Sequence, residues 1–176
     1  MPTRVAFFLL ASSLLSFSQM PAVTPSKPQT PATPQKATVI YLVRHAEKAS
    51  PTGDSELSEA GQKRAACLAT ALADANLQSI YTTEFKRTRN TAAPTSIKTG
   101  ITPGVIGGAA SDKLIAELRK EQGHNVLVVG HSNTVPEIIS KLGAGSVTIK
   151  DDEYDHLYIV TLLNGEAGLA SLRYCQ

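Results

Sequence analysis

No apolar run in this 176-residue chain reaches the ~20 residues a helix needs to cross a bilayer. Charge of one sign is also missing: 17 Lys and Arg face 15 Asp and Glu. The net +2 is too small an excess to argue for nucleic acid or an anionic membrane surface as a partner. Cysteine is scarce. The two residues, Cys67 and Cys175, both lie far from the N-terminal apolar segment, so a lipid-anchored amino terminus has no attachment point. Paired-Cys and His-Glu-x-x-His spacings are absent, and nothing in the chain calls for a metal or other cofactor. There is no internal repeat.

What is present suits one globular domain behind a leader. Hydrophobic residues make up 42% of the chain, enough for a buried core. Arg4 followed by Val5–Ala11 and Leu14-Leu15 has the charge and the apolar length of a secretory signal, with Ser16 and Ser18 as the small residues of a cleavage site. The expectation is a signal peptide over residues 1–18 and an exported protein, periplasmic or secreted, with no stable membrane insertion once the leader is removed. Residues 19–37 carry Pro21, Pro25, Pro28, Pro31 and Pro34, a spacing that favours extended chain and reads as a disordered linker. The folded domain then occupies 38–176. Export and an even cysteine count invite a bridge between Cys67 and Cys175, although sequence cannot place the two within bridging distance.

Periodicity supplies the elements. Residues 38–43 form a continuous apolar strand of the kind covered on both faces. Ser58 opens a helix that runs to about residue 75, with a buried stripe of Gly61, Ala65, Leu68, Ala69 and Leu72 and with Cys67 on the far side. Strand 79–82 follows, then a helix from about Phe85 that should not pass undisturbed through Pro94. Residues 99–110 read as loop. Ser111 caps a helix stopped by Gly123, 126–129 is a central strand, and Thr134 with Glu137 forms a capping-box pattern for a helix ending near Leu142. Runs 157–163 and 169–174, turned at Asn164-Gly165, complete the chain. Alternation of strand and helix predicts an α/β fold: a three-layer α/β/α sandwich on a mainly parallel sheet.

The chemistry-bearing residues cluster at strand ends, where open α/β sheets build ligand sites. Arg44-His45-Ala46 follows the first strand. Thr82-Thr83 and then Arg87-Thr88-Arg89-Asn90-Thr91 follow the second. Gly130-His131 follows the central one. Three motifs in this order resemble those of the histidine phosphatase superfamily, the phosphoglycerate-mutase-like proteins, over about residues 38–173. The departure is Ala46, where the family usually has Gly.

The resemblance implies a phosphoglycerate-mutase-like sandwich and hydrolysis of a phosphomonoester or related phosphoryl compound, without metal, through a phosphohistidine at His45. It implies that Arg44, Arg87 and His131 bind the phosphoryl group, with Ser132 or Asn133 adding a bond near a helix N-terminus. Arg89, two residues along the helix from Arg87, reads as a surface cation. The proton donor is the weak point, because residues 95–110 hold no carboxylate and Ser132 occupies the place where some relatives have an acid. Glu84 is the nearest acid in sequence; Glu47 and the Asp151-Asp152-Glu153-Asp155 cluster are alternatives. The partner implied is a small phosphorylated substrate or a phosphoprotein. Two other readings stand beside this one: a non-catalytic phospho-ligand binder, and a metal-dependent hydrolase using His45, Glu47, His131 and His156. A mutase is disfavoured, because the chain is too short for the cap insertions that would shield its intermediate from water.

Overall fold

The computed structural model describes Met1 and residues 35–175. The proposed signal segment after Met1, and the linker up to residue 34, lie outside the described residues. Six strands and four helices alternate as β1 (Thr38–Arg44), α1 (Glu59–Ala71), β2 (Ser79–Thr82), α2 (Lys86–Thr99), β3 (Gly104–Val105), α3 (Ser111–Leu118), β4 (Asn125–Gly130), α4 (Thr134–Lys141), β5 (His156–Leu163) and β6 (Glu166–Arg173). The strands form one sheet in the order β3-β2-β4-β1-β5-β6. β1, β4, β2 and β3 pair in parallel, and β5 pairs antiparallel with both β1 and β6. The β5–β6 hairpin turns on Asn164 and Gly165, both at positive φ (54° and 85°), as a two-residue turn of matching twist requires.

Alternate residues of the central strands feed two cores. Ile40, Leu42, Val126 and Val128 pack under Leu114 and Leu118 of α3 and Val135, Ile138 and Ile139 of α4. Val43, Ile80, Leu127 and Val129 pack under Leu68 and Leu72 of the α1 segment and Ala92 of α2. Both faces of the sheet are therefore covered, which is why these strands read as unbroken apolar runs. The result is the expected three-layer α/β/α sandwich.

The structure revises several local expectations. α2 runs through Pro94 to Thr99, because its buried stripe of Thr88, Thr91, Ala92 and Thr95 packs the helix in place and outweighs the missing N–H; Gly100 then ends it at φ 73°. The 99–110 loop contains β3, which extends the parallel sheet beside β2. α3 ends at Leu118, well before Gly123, and Ser111 is its first residue rather than its cap. The Ser111 hydroxyl instead contacts the Glu137 carboxylate and Lys141. No capping box forms at α4, since the Thr134 hydroxyl accepts from the His131 backbone N–H (2.9 Å). The Ser58 cap does form: its hydroxyl accepts from Gly61 N–H at 3.1 Å. Cys67 of α1 and Cys175 in the tail are joined in a disulfide, with Cα atoms 6.1 Å apart.

Candidate active site

Three neighbouring parallel strands end at one level. The register sets Arg44 opposite Gly130 and Thr82 opposite Val129, so the next residue of each strand, His45, His131 and Thr83, leaves the sheet at the same edge. His45 N–H still donates to the Gly130 carbonyl at 2.8 Å, which fixes the first His beside the second strand end. The two imidazoles meet edge-on, with centroids 5.4 Å apart and planes at 65°. They stand in an open cleft of about 570 Å³ that also receives Arg44, Arg87, Glu84, Ser132 and Asn133. Every residue expected at the phosphate site lies there. Arg89 is exposed on α2, outside this lining.

The His45 side chain has one ring nitrogen committed. Nδ1 lies 2.8 Å from the Ala46 carbonyl, an oxygen that can only accept. Nδ1 therefore carries the proton and Nε2 keeps its lone pair. Burial pushes the His45 pKa down to about 4; the Ala46 carbonyl opposes the shift, and His131, Arg44 and Arg87 add to it. Ala46 is fully buried, and its N–H donates to the Thr91 hydroxyl (2.9 Å), which donates to the Arg87 carbonyl (2.7 Å). The α2 helix thus pins the residue after His45. Ala46 is not among the positive-φ residues, so replacing the family's Gly carries no backbone strain here.

His131 Nε2 lies 3.1 Å from the Thr83 hydroxyl, which lies 2.8 Å from the Thr88 hydroxyl. Thr88 donates to the Phe85 carbonyl at 2.8 Å. Read from that carbonyl inward, each hydroxyl spends its hydrogen on the next oxygen, and the chain ends with His131 Nε2–H as donor. Burial, then Arg87, lowers the His131 pKa to about 4; Glu84 pulls it up and Arg44 pushes it further down. Both rings are neutral at neutral pH.

The arginines are held by aromatic faces. Arg87 Cζ stands 4.1 Å over the Phe85 ring and Arg44 Cζ 4.1 Å over the Tyr154 ring. Arg44 Nη1 donates to the carbonyls of Lys150 (2.8 Å), Asp151 (2.9 Å) and Glu153 (3.2 Å). The Nε–H groups of Arg44 and Arg87 are buried and have no partner. Two unspent guanidinium donors beside a neutral imidazole make a site with unmet demand for an anion.

Of the carboxylates considered as acid, Glu84 and Asp151 reach the cleft. Glu84 Oε2 accepts from Gly108 N–H at 2.8 Å. Glu47 is spoken for: Arg64 holds both its oxygens at 2.7–3.0 Å. Burial raises the Glu47 pKa, but the Arg64 hydrogen bonds outweigh it and leave the group below its ordinary value. Glu153 and Asp155 pair with Arg173 of β6. The set named for a metal does not gather, since Glu47 faces Arg64 and the His156 ring stacks on Tyr158 at 5.3 Å. Among the described residues no three His, Cys, Asp or Glu are grouped to hold a metal ion. Sequence reasoning passed over Lys48, Phe85 and Tyr154. Lys48 and Phe85 sit next to motif residues and could have been found by that proximity. Tyr154 is 110 residues from Arg44 and gave no local signal.

The family model of the histidine phosphatase superfamily, branch 1, matches residues 40–106, a span that holds Arg44, His45 and Arg87 and stops short of His131. No curated protein matches the chain in sequence at a significant level. Solved structures match in fold. The protein histidine phosphatase SixA, in complex with tungstate, superposes with a TM-score of 0.63 at 17% identity, covering 77% of this chain and 96% of its own. A phosphoglycerate mutase from Bacillus anthracis gives 0.65 at 16%, covering 78% and 93%. A mycobacterial glucosyl-3-phosphoglycerate phosphatase gives 0.60 at 16%, covering 79% and 99%. At these identities the likeness establishes a phosphoglycerate-mutase-like fold.

Proposed function

We propose that this chain, a histidine phosphatase superfamily chain by its match over residues 40–106 and by its phosphoglycerate-mutase-like fold, is a phosphatase that works through a phosphohistidine at His45. One observation carries the reading. His45 is a buried neutral imidazole whose Nδ1 proton is fixed on the Ala46 carbonyl, which leaves the Nε2 lone pair as nucleophile in a cleft with two arginines.

In the first step Nε2 attacks phosphorus and the bond from phosphorus to the leaving oxygen breaks. The positive charge that develops on the ring is stabilised through Nδ1–H by the Ala46 carbonyl. Arg44 and Arg87 donate to the equatorial oxygens, where charge accumulates in the transition state, and His131 Nε2–H joins them by exchanging the Thr83 hydroxyl for a phosphoryl oxygen. The leaving oxygen takes up a proton, for which Glu84, a carboxyl group that reaches the cleft, is the donor. In the second step water attacks phosphorus, the phosphorus–nitrogen bond breaks, and the Glu84 carboxylate takes the proton from water. Ser132 and Asn133, ahead of α4, add donors near its N-terminal N–H groups. The open cleft gives water free access to the intermediate, which favours hydrolysis over a mutase cycle. No metal takes part in these steps. Export of the protein, from its leader, would place this activity outside the cytoplasm.

A panel of phosphomonoesters and phosphoramidates with EDTA present tests the reading. Wild type should turn over at least one class, and His45→Ala none. Glu84→Gln should lose on the order of 10²-fold or more on alkyl phosphates and much less on aryl phosphates or phosphohistidine, whose leaving groups need little acid assistance. Anion binding with no turnover across the panel would favour the phospho-ligand binder instead.

A further inference from the structure

We infer that Tyr154 is a positioning residue for Arg44: its ring and the carbonyls of its loop hold the guanidinium so that Nε–H and one Nη2 proton are left for a phosphoryl group. The inference rests on the reading that Arg44 binds that group. Three observations support it. Arg44 Nη1 is fully occupied by the carbonyls of Lys150, Asp151 and Glu153, so this nitrogen is an anchor and not a ligand donor. The Tyr154 ring lies under the guanidinium at 4.1 Å and its hydroxyl accepts from Nη2 at 3.4 Å. Arg44 Nε remains buried without a partner, as does Arg87 Nε of the same cleft.

The cradle is itself braced. Glu153 N–H donates to the Lys150 carbonyl (3.1 Å), and the Glu153 carboxylate accepts from Lys150 N–H (2.9 Å), closing the loop on itself. The Tyr174 hydroxyl donates to the Tyr154 carbonyl at 3.4 Å, and Tyr174 N–H donates to the Asp155 carbonyl at 2.9 Å. Arg173 holds Asp155 and Glu153 from β6. The acidic run, which suggests a solvated loop or an acid catalyst in sequence, therefore serves mainly to fix three carbonyls and one aromatic ring against Arg44. A flexible arginine that must be ordered by each incoming anion binds it less well than one already ordered.

The test is a double-mutant cycle on the full chain, read as tungstate affinity by calorimetry, with melting temperature and kcat/KM alongside. Tyr154→Leu should weaken tungstate about 10-fold, the scale of a misplaced charged donor, while Tyr154→Phe, which keeps the stacked face and loses only a long hydrogen bond, should stay within about 3-fold. In an Arg44→Met background, which removes the cation and its donors, Tyr154→Leu should cost almost nothing more. Equal loss in both backgrounds, or wild-type tungstate affinity in Tyr154→Leu, would overturn the inference. A wild type that binds tungstate but hydrolyses nothing would overturn the phosphatase reading and leave Tyr154 to be judged by the tungstate cycle.

Discussion

An imidazole at His45 or His131 is hard to charge, and this has a consequence for pH. Both pKa values lie near 4, below the free value of 6.5, chiefly through burial. As pH falls the unfolded chain takes up these protons first. The stability contributed by the two neutral rings is complete above pH 6.5 and is lost as pH drops towards 4. NMR titration of the ring nitrogens should show both histidines neutral at pH 5.5, and the melting temperature should fall across the same window. Titration of either ring near 6.5 would contradict the buried, cation-flanked setting. At this scale the sequence was a good guide. His45, Arg44 and His131 stand at strand ends that the apolar runs mark, and Arg87 lies in the first turn of α2, just after the end of β2. Tyr154 and the Thr83–Thr88 relay were not legible. The first depends on which side chain a distant loop brings beneath a guanidinium, the second on which hydroxyls turn toward the His131 ring, and no local period encodes either.

Among the elements, α1 is tied to the loop after His45 by close contact. A Cβ added at Gly61 would overlap the Glu47 carbonyl, and that carbonyl also accepts from Ser58 N–H at 2.9 Å. Gly→Ala inside a helix gains about 1 kcal/mol in propensity, but forcing backbone apart costs about 1–3 kcal/mol. Gly61→Ala should therefore destabilise the protein in a denaturant melt and lower kcat/KM, since the shift is passed to a residue two positions from His45. A more stable, fully active Gly61→Ala would mean that the two segments can separate freely. Element existence and type were largely readable: all four helices and five of the six strands were expected. β3 was hidden because two residues leave no alternation. Pro94 was misjudged because its helix is held by a buried threonine-rich stripe, a tertiary effect that a propensity rule does not contain.

Over the whole molecule, the Cys67–Cys175 bridge fastens the tail across a sequence separation of 108. Arg64 joins that tail to the site, donating to the Cys175 carbonyl at 3.3 Å and to Glu47. In the chain-entropy description a loop of this length is worth about 4–5 kcal/mol, so reduction should lower the melting temperature by on the order of 10 °C. Cys67→Ser should reproduce that loss and be insensitive to reductant; an unchanged melting temperature would show that the tail is held without the bridge. The architecture as a whole was legible because continuous apolar strands alternating with helices have few ways to pack. The reversed direction of β5 became plain only through its register against β1. The central claim, that His45 carries the phosphoryl group, meets its most direct test in rapid-quench trapping with a substrate from the panel, with EDTA present. Acid-labile phosphate should appear on wild type and map to His45, be absent from His45→Ala, and decay at a rate consistent with turnover. Turnover without any trapped phosphate, phosphate mapped to another residue, or a reaction stopped by the chelator would contradict it.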